Sequence, residues 1–479
     1  MSLRKSALSG MYWTFIQQMS AQGIGFIISI VLARILLPEE FGLIALLGVF
    51  IAIGNTLVNS GLGLSIIRTK EVDDDDYSTV FYFNLGISLL VYAIVYFTAP
   101  FIANFYNQPP LTDIARVYSL TFVISSLSVV QNTRLNKAMN FKQLTIISIP
   151  SLIISGATGV ILALNNFGVW SLVWSAIIKE AAHTLQLWWY SPWKPLLRFK
   201  TEKIKQHFKF GYKMTIAGVV DTLFKDIYTI VIGKFFDPMQ VGFYNRANTF
   251  RQLPINSLGN VLNRVTFPLF SKIQDDNEKL KNAYKKVMQM SVFLVAPTLL
   301  FMAVLATPLF RFLLTEKWLP AVPYFQILCV AGMLHPINSY NLNILTVKGK
   351  SDLYLKLSII KKILILTVVI VVINWGIYGL LFGQLFISIT GMFFNGYFSG
   401  RLINYPIFSQ LKDISLLLVI SFISAGLIYY IDKVFLINYP DIIRLLSGAT
   451  LGITNYFLLS LLFKLAPYFE LKSILLKKK

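Results

Sequence analysis

The residues that could do chemistry in this chain are the ionisable and amide side chains that interrupt its long apolar runs. "WSLVWSAIIKEAAHTLQLWWY" carries Lys179, Glu180 and His183, and helical spacing puts His183 on the face of the other two. "VVDTLFKDIYT" carries Asp221, Lys225 and Asp226, with Asp221 and Lys225 at the i,i+4 spacing of an ion pair. "YNRANTFRQLP" carries Arg246 and Arg251, and "LHPINSYNLN" carries His335, Pro336, Asn338, Asn341 and Asn343. Near the start stand Gln17, Gln18 and Gln22, then Asn55 and Asn59.

Ionisable groups at membrane depth are costly and usually face a cavity or a partner. Amides such as Gln18, Asn55, Asn59, Asn338 and Asn341 hydrogen-bond sugar hydroxyls. The guanidinium groups of Arg246 and Arg251 suit phosphate oxygens, which they meet bidentately, and Lys179 and Lys225 add cationic donors. Glu180, Asp221, Asp226, His183 and His335 are the candidates for coupling to an ion. The same residues also admit a purely structural reading. Lys179–Glu180 and Asp221–Lys225 form neutralised pairs, Arg246 snorkels to an interface, and His335-Pro336 is a static kink rather than a hinge.

These side chains must be positioned by membrane spans. The chain has 479 residues, 56% hydrophobic and only 14% charged, against roughly 25% charged in soluble domains. One cysteine and three histidines leave no basis for a disulfide framework or a metal centre, and no cofactor is expected. A span needs about 20 mostly apolar residues, and about fourteen segments meet that need. They lie near residues 11–36, 41–66, 79–104, 114–133, 143–165, 168–190, 210–233, 240–263, 287–308, 321–347, 352–373, 376–400, 413–431 and 443–463. Those at 114–133, 210–233 and 240–263 are the least apolar. No small-residue cleavage site follows "MSLRKSALSG", so the first segment is expected to stay as a span.

The net charge of +21 is read through topology rather than as nucleic-acid binding. With both termini cytoplasmic, most of the 43 Lys and Arg fall on the cytoplasmic side. The other side keeps only Arg34, Arg116, Lys234, Arg311, Lys317, Lys433 and Arg444. That asymmetry matches the positive-inside rule and implies attraction to anionic lipids.

"VLARILLPEEFGLI" (31–44) recurs 200 residues later, without a gap, as "VIGKFFDPMQVGFY" (231–244). Arg34 falls on Lys234, Pro38 on Pro238 and Gly42 on Gly242. The spacing predicts a tight helix–helix turn in which Pro stops one helix and Gly lets the next pack closely. It also predicts a duplicated architecture, with substrate held between halves that rock. The expected organisation is an N-terminal six-helix bundle over 1–200, a second six-helix bundle over 201–405, and two further helices with a basic tail over 406–479. The fold class is thus all-α integral membrane with pseudo-repeat bundles, and a monomer is expected, since one chain holds both halves of its pathway.

On "RKSALSGMYWTFIQQMSAQGIGFIISIVLARILLPEEFGLIAL" (4–46), "GLGLSIIRTK" (61–70) and "FGYKMTIAGVVDTLFKDIYTIVIGKFFDPMQVGFYNRANTFRQLP" (210–254), the chain resembles the polysaccharide flippases of the MOP exporter superfamily, Wzx-like exporters of O-antigen, colanic acid and teichuronic acid. The resemblance implies a MATE-like fold in a bacterial inner membrane. It implies movement of a polyprenyl-diphosphate-linked oligosaccharide from the cytoplasmic to the outer leaflet by alternating access, with a polysaccharide polymerase as a possible partner. A lipid II flippase differs only in the cargo's sugars. A MATE-type cation or drug antiporter would call for carboxylates inside the first half's cavity, and spans one to five have none there. An enzyme is the alternative from another class, a membrane glycosyltransferase or polymerase. "EVDDDDY" (71–77) contains the Asp-x-Asp of metal–nucleotide sites, but a solvated acidic loop accounts for it, since no P-loop or nucleotide-binding domain accompanies it. A scaffold for an assembly complex would leave the intramembrane polar residues without a role.

Overall fold

A computed structural model of the chain describes the backbone of residues 3–59 and 61–476, and leaves aside the side chains at 3–9, 11, 210, 258, 260–265, 267 and 474–476. Lys477, Lys478 and Lys479 of the expected basic tail lie outside the described residues, as do the side chains of Arg4 and Lys5. The described chain is helical throughout, with no strand among its residues.

In the first compact unit, Met1–Gly242, the helices are α1 (Leu3–Ile35), α2 (Pro38–Asn59), α3 (Leu62–Arg68), α4 (Asp74–Tyr106), α5 (Leu111–Tyr118), α6 (Leu120–Lys137), α7 (Phe141–Leu164), α8 (Trp170–Tyr190), α9 (Thr201–Lys225) and α10 (Ile227–Phe235). The unit ends within the first turns of α11 (Pro238–Lys272). The second, Phe243–Lys479, holds the rest of α11, then α12 (Asn277–Val304), α13 (Ala306–Leu314), α14 (Val322–Gly332), α15 (His335–Val347), α16 (Ser351–Val372), α17 (Gly376–Leu402), α18 (Ile407–Val434), α19 (Asp441–Leu462) and α20 (Ala466–Leu476).

All fourteen expected segments fall on helices. Among the described residues, ten helical stretches are long and apolar enough to cross a membrane, and one of them, Ser351–Leu402, carries two of the expected spans around a short 3-10 turn. The segments at 168–190, 210–233 and 240–263 do not reach that apolarity, because they carry the charged residues described above. Outward faces such as Phe97 and Phe101 on α4, Ile161 and Leu164 on α7 and Ile370 on α16 are exposed and apolar, as lipid contact demands.

Pro38 and Pro238 each open a helix rather than end one. A helix's first turn has no acceptor for its N–H groups, so the missing proline N–H costs nothing there and its fixed φ is already helical. The small-residue packing common in membrane helices is visible between α7 and α8. Ser155 and Ser175 each donate to the other's backbone carbonyl at 2.9 Å, and Gly159 leaves room for Ser175.

α4 begins with a capping box. The Asp73 carboxylate accepts from the Asp76 N–H at 2.8 Å, and the Asp76 carboxylate accepts from the Asp73 N–H at 3.1 Å. In the second unit, α18 and α19 are clamped by a buried ion pair. Arg444 donates to both carboxylate oxygens of Asp432, at 2.7 and 2.6 Å.

Candidate functional site

A cavity of about 960 Å³ opens inside the first unit. Asn55 and Asn59, one turn apart on α2, line it together with Asn132 and Asn136 on α6, Ser148 and Ser151 on α7, and Thr215 on α9. From α8 it receives Lys179, Glu180 and His183. These arise where polar residues repeat at i,i+4 within otherwise apolar helices, so that one stripe of each helix turns toward the cavity.

Lys179 Nζ lies 3.1 Å from Glu180 Oε1. Lys179 is exposed to the cavity, and Glu180 and His183 are half-buried. His183 Nε2 stands 3.4 Å from the side-chain amide of Asn132. Asn59 donates to the Asn55 carbonyl at 2.8 Å, and Asn136 donates to the Asn132 carbonyl at 2.9 Å. The same Asn-x-x-x-Asn spacing thus recurs on α2 and α6. Gln186 donates to Ser151 Oγ at 2.8 Å and Gln17 to Ser148 Oγ at 3.0 Å, fixing these serines from behind.

Five of the residues expected from sequence therefore meet in one cavity: Asn55, Asn59, Lys179, Glu180 and His183. Gln18, on α1, is half-buried and does not line it. Asp221 and Lys225 are exposed near the end of α9, and Asp226 occupies the break between α9 and α10.

The remaining expected residues belong to the second unit. Arg246 is buried with its guanidinium 5.2 Å from the centre of the Trp318 ring, a cation–π arrangement. Arg251 donates from Nη2 to Asn248 Oδ1 at 2.7 Å, while its buried Nε has no hydrogen-bond partner among the described residues. Asn338 donates to the Ser388 carbonyl at 3.0 Å and accepts from Asn395 at 3.0 Å. Asn341 is fully buried, accepting from Tyr284 at 2.7 Å and from Ser399 at 2.5 Å and donating to Gln410 at 3.1 Å, an arrangement that holds α12, α15, α17 and α18 together. The helix does break at His335: α14 ends at Gly332 and α15 restarts at His335, with Pro336 in its first turn. His335 lines a void of about 20 Å³, roughly the room for one water.

Asn132, Asn136 and Thr215 escaped the sequence reading, although the Asn-x-x-x-Asn repeat in "QNTRLNK" was the available signal. So did a polar cluster behind α3. The cavity takes Gly63, Leu64 and Ile67 from α3, while Ser65, on the buried face, meets His207 Nδ1 at 2.8 Å. His207 Nε2 in turn lies 3.2 Å from Asp76 Oδ1, and Lys203 Nζ lies 2.9 Å from Asp76 Oδ2 and 3.1 Å from Asp73 Oδ2. Trp193 Nε1 donates to Asp74 at 3.1 Å, and Lys200 pairs with Asp75. The acidic run at 73–76 is thus no solvated loop. It caps α4 and grips the basic connector at 191–209. The Asp76 N–H, with help from the Lys203 ammonium, holds the Asp73 carboxyl down at about 2, and the hydrogen bond to Asp76 raises the Lys203 ammonium above the usual lysine range.

α9 reaches this site through a close backbone crossing. Gly61 sits at φ +63° in the turn between α2 and α3, and a Cβ there would stand 2.8 Å from the Gly211 carbonyl oxygen. Only glycine meets both the left-handed backbone and that contact without strain.

Residues 31–323 match the family described as "Polysaccharide biosynthesis protein". The lipopolysaccharide biosynthesis protein WzxC of Escherichia coli (strain K12) is 28% identical over 377 residues, 78% of this chain and 76% of that protein. The teichuronic acid biosynthesis protein TuaB of Bacillus subtilis (strain 168) is 25% identical over 354 residues, covering 74% and 73%. Among solved structures, the lipid II flippase MurJ in an inward closed conformation has the same fold, with a TM-score of 0.75 over 95% of this chain and 98% of that one at 16% identity. With the match running through both copies of the Pro-x-x-x-Gly motif and over more than half of its residues, this multi-pass membrane chain belongs to the polysaccharide biosynthesis protein family.

Proposed function

We propose that the chain is a transporter, not an enzyme, and that it flips polyprenyl-diphosphate-linked oligosaccharide repeat units from the cytoplasmic to the outer leaflet of a bacterial inner membrane, for cell-surface polysaccharide synthesis. The observation that carries this reading is the first unit's cavity, a space of oligosaccharide-compatible size that presents amides and hydroxyls among apolar side chains, within helices whose outer faces are apolar. Ligand sites are commonly ~300–1,000 Å³. The biosynthetic roles in the names of WzxC and TuaB, and the flippase fold of MurJ, support it. In this reading Asn55, Asn59 and Lys179 contact sugar, Arg246 and Arg251 contact diphosphate, Glu180 or His183 couples the cycle to an ion, both termini are cytoplasmic, and the duplicated halves alternate access as a monomer.

Native mass spectrometry of the protein extracted in mild detergent from its own membranes tests the proposal. A co-purifying polyprenyl-diphosphate oligosaccharide, lost in Arg246→Ala or Arg251→Ala, is the expected result. Retention of bulk phospholipid alone would overturn it.

A further inference from the structure

We infer that the first unit's cavity selects uncharged, hydroxyl-rich glycan over anionic sugars and phosphate, and that Glu180 sets this selectivity. The inference rests on reading the cavity as a glycan site.

The donor and acceptor balance of the lining carries the argument. Each described serine and threonine that lines the cavity gives its hydroxyl proton to a backbone carbonyl three or four residues earlier in the chain. Thr56 donates to Ala52 at 2.8 Å, Ser128 to Ser125 at 2.8 Å, Thr133 to Val129 at 2.8 Å, Ser151 to Ile147 at 2.8 Å and Thr215 to Gly211 at 3.0 Å, and Thr121, Ser125 and Ser148 follow the same pattern. A hydroxyl has one proton and two lone pairs. With the proton committed, the half-buried hydroxyls of Thr56, Ser125, Ser148 and Thr215 offer the cavity acceptors, while Thr121, Ser128, Thr133 and Ser151 are buried in its wall. Asn59 and Asn136 likewise each turn one of their two amide N–H groups back onto the helix.

An acceptor-rich wall suits a ligand that donates. Every sugar hydroxyl does so, while a carboxylate or a phosphate oxygen carries only acceptors at neutral pH and would face lone pairs. An acceptor left unpaired costs roughly 1–3 kcal/mol, more when charged. Among the described lining residues the charged ones are Lys179 and Glu180, and at 3.1 Å they neutralise each other. Glu180 therefore keeps Lys179 from serving as an anion anchor.

Isothermal titration calorimetry on the full chain in lipid nanodiscs, with maltotriose, trigalacturonate and inorganic pyrophosphate as probes, tests the inference. Maltotriose is expected to bind at least about tenfold more tightly than either anion. Glu180→Gln, which releases Lys179, should narrow that preference about threefold or more, and Lys179→Gln should widen it. The two substitutions act in opposite directions, so a shared loss of folding cannot imitate the result. Tighter binding of either anion, binding of none of the probes, or equal preference in the two variants overturns it. The titrations involve neither lipid carrier nor translocation. Their failure is thus separate from failure of the transport reading, which the co-purified lipid decides.

Discussion

Gly42 and Gly242 each face the proline of the other's motif. A Cβ on Gly42 would stand 2.6 Å from the Pro238 carbonyl carbon, and a Cβ on Gly242 would stand 2.9 Å from that of Pro38. The same two glycines lie against each other's backbone nitrogens, 3.2 and 3.3 Å from the added Cβ atoms. The repeated sentence in the sequence is therefore a reciprocal contact in space, and it explains why both copies keep the same spacing. The proline starts the helix, and four residues later the glycine brings the backbones together.

That contact predicts the sign of a simple substitution. Gly→Ala in an exposed helix gains up to ~1 kcal/mol from propensity. Overpacking costs ~1–3 kcal/mol, and here the obstacle is backbone, which has no alternative rotamer. Gly42→Ala and Gly242→Ala should each lower the melting temperature in detergent. Because the two sites touch, the double variant should depart from the sum of the singles. Unchanged melting in both singles would show that the contact is loose.

The acidic cap and the connector make a second prediction. Asp76 and His207 are almost fully buried, and hydrogen bonds to a buried charge are worth ~1.5–3 kcal/mol. Asp76→Asn and His207→Ala should both release the connector, which is rich in Lys and Arg. Limited trypsinolysis should cut between residues 194 and 209 at least about tenfold faster than in the wild type, the factor expected for ~1.4 kcal/mol of lost local stability. An unchanged cleavage rate would mean that packing alone holds the connector.

How much of this was legible beforehand depended on the range of the signal. The helices were, because apolar run length is a local property. The α8 triad and the α2 asparagines were too, since a polar side chain in an apolar run stands out by its cost. Asn132 and Asn136 were hidden at the polar end of their segment, next to Arg134 and Lys137, where an amide looks like a loop residue. The aspartates at 73–76 were misread, and His207 was passed over, because the partners of the acidic run lie more than a hundred residues away, and charge in a sequence does not say what it meets. Asn341 was noticed for its polarity, but its three buried partners occupy it within the core.

The Asp73 cap makes stability depend on acid. Its carboxyl is held at about 2, chiefly by the Asp76 N–H, against an ordinary value near 3.9. A depressed carboxyl contributes its stability above the unfolded value and loses it as pH falls through the folded one. The side chain is largely exposed, so the contribution is that of a surface N-cap, about 1 kcal/mol. Asp73→Ala should lower the melting temperature at pH 6, and its difference from the wild type should fade as pH drops from about 4 to about 2. A difference that persists undiminished at the acid end would assign the effect to packing.

The pair between Asp432 and Arg444 gives the largest expected change. Both side chains are nearly inaccessible, and the pairing is bidentate, with Asp441 3.5 Å from the same guanidinium. Removing Arg444 leaves the Asp432 charge buried and uncompensated, which typically costs ~3–5 kcal/mol, whereas replacing both with apolar residues of similar size is often neutral. Arg444→Ala should therefore destabilise the α18–α19 pairing far more than Asp432→Leu combined with Arg444→Met, as read by unfolding in graded denaturing detergent. The double variant keeps the volume and removes both charges, so its recovery would show that the buried pair is needed for charge balance and not for the packing of the two helices. If the double variant were as unstable as Arg444→Ala, the directional hydrogen bonds themselves would be what joins α18 to α19.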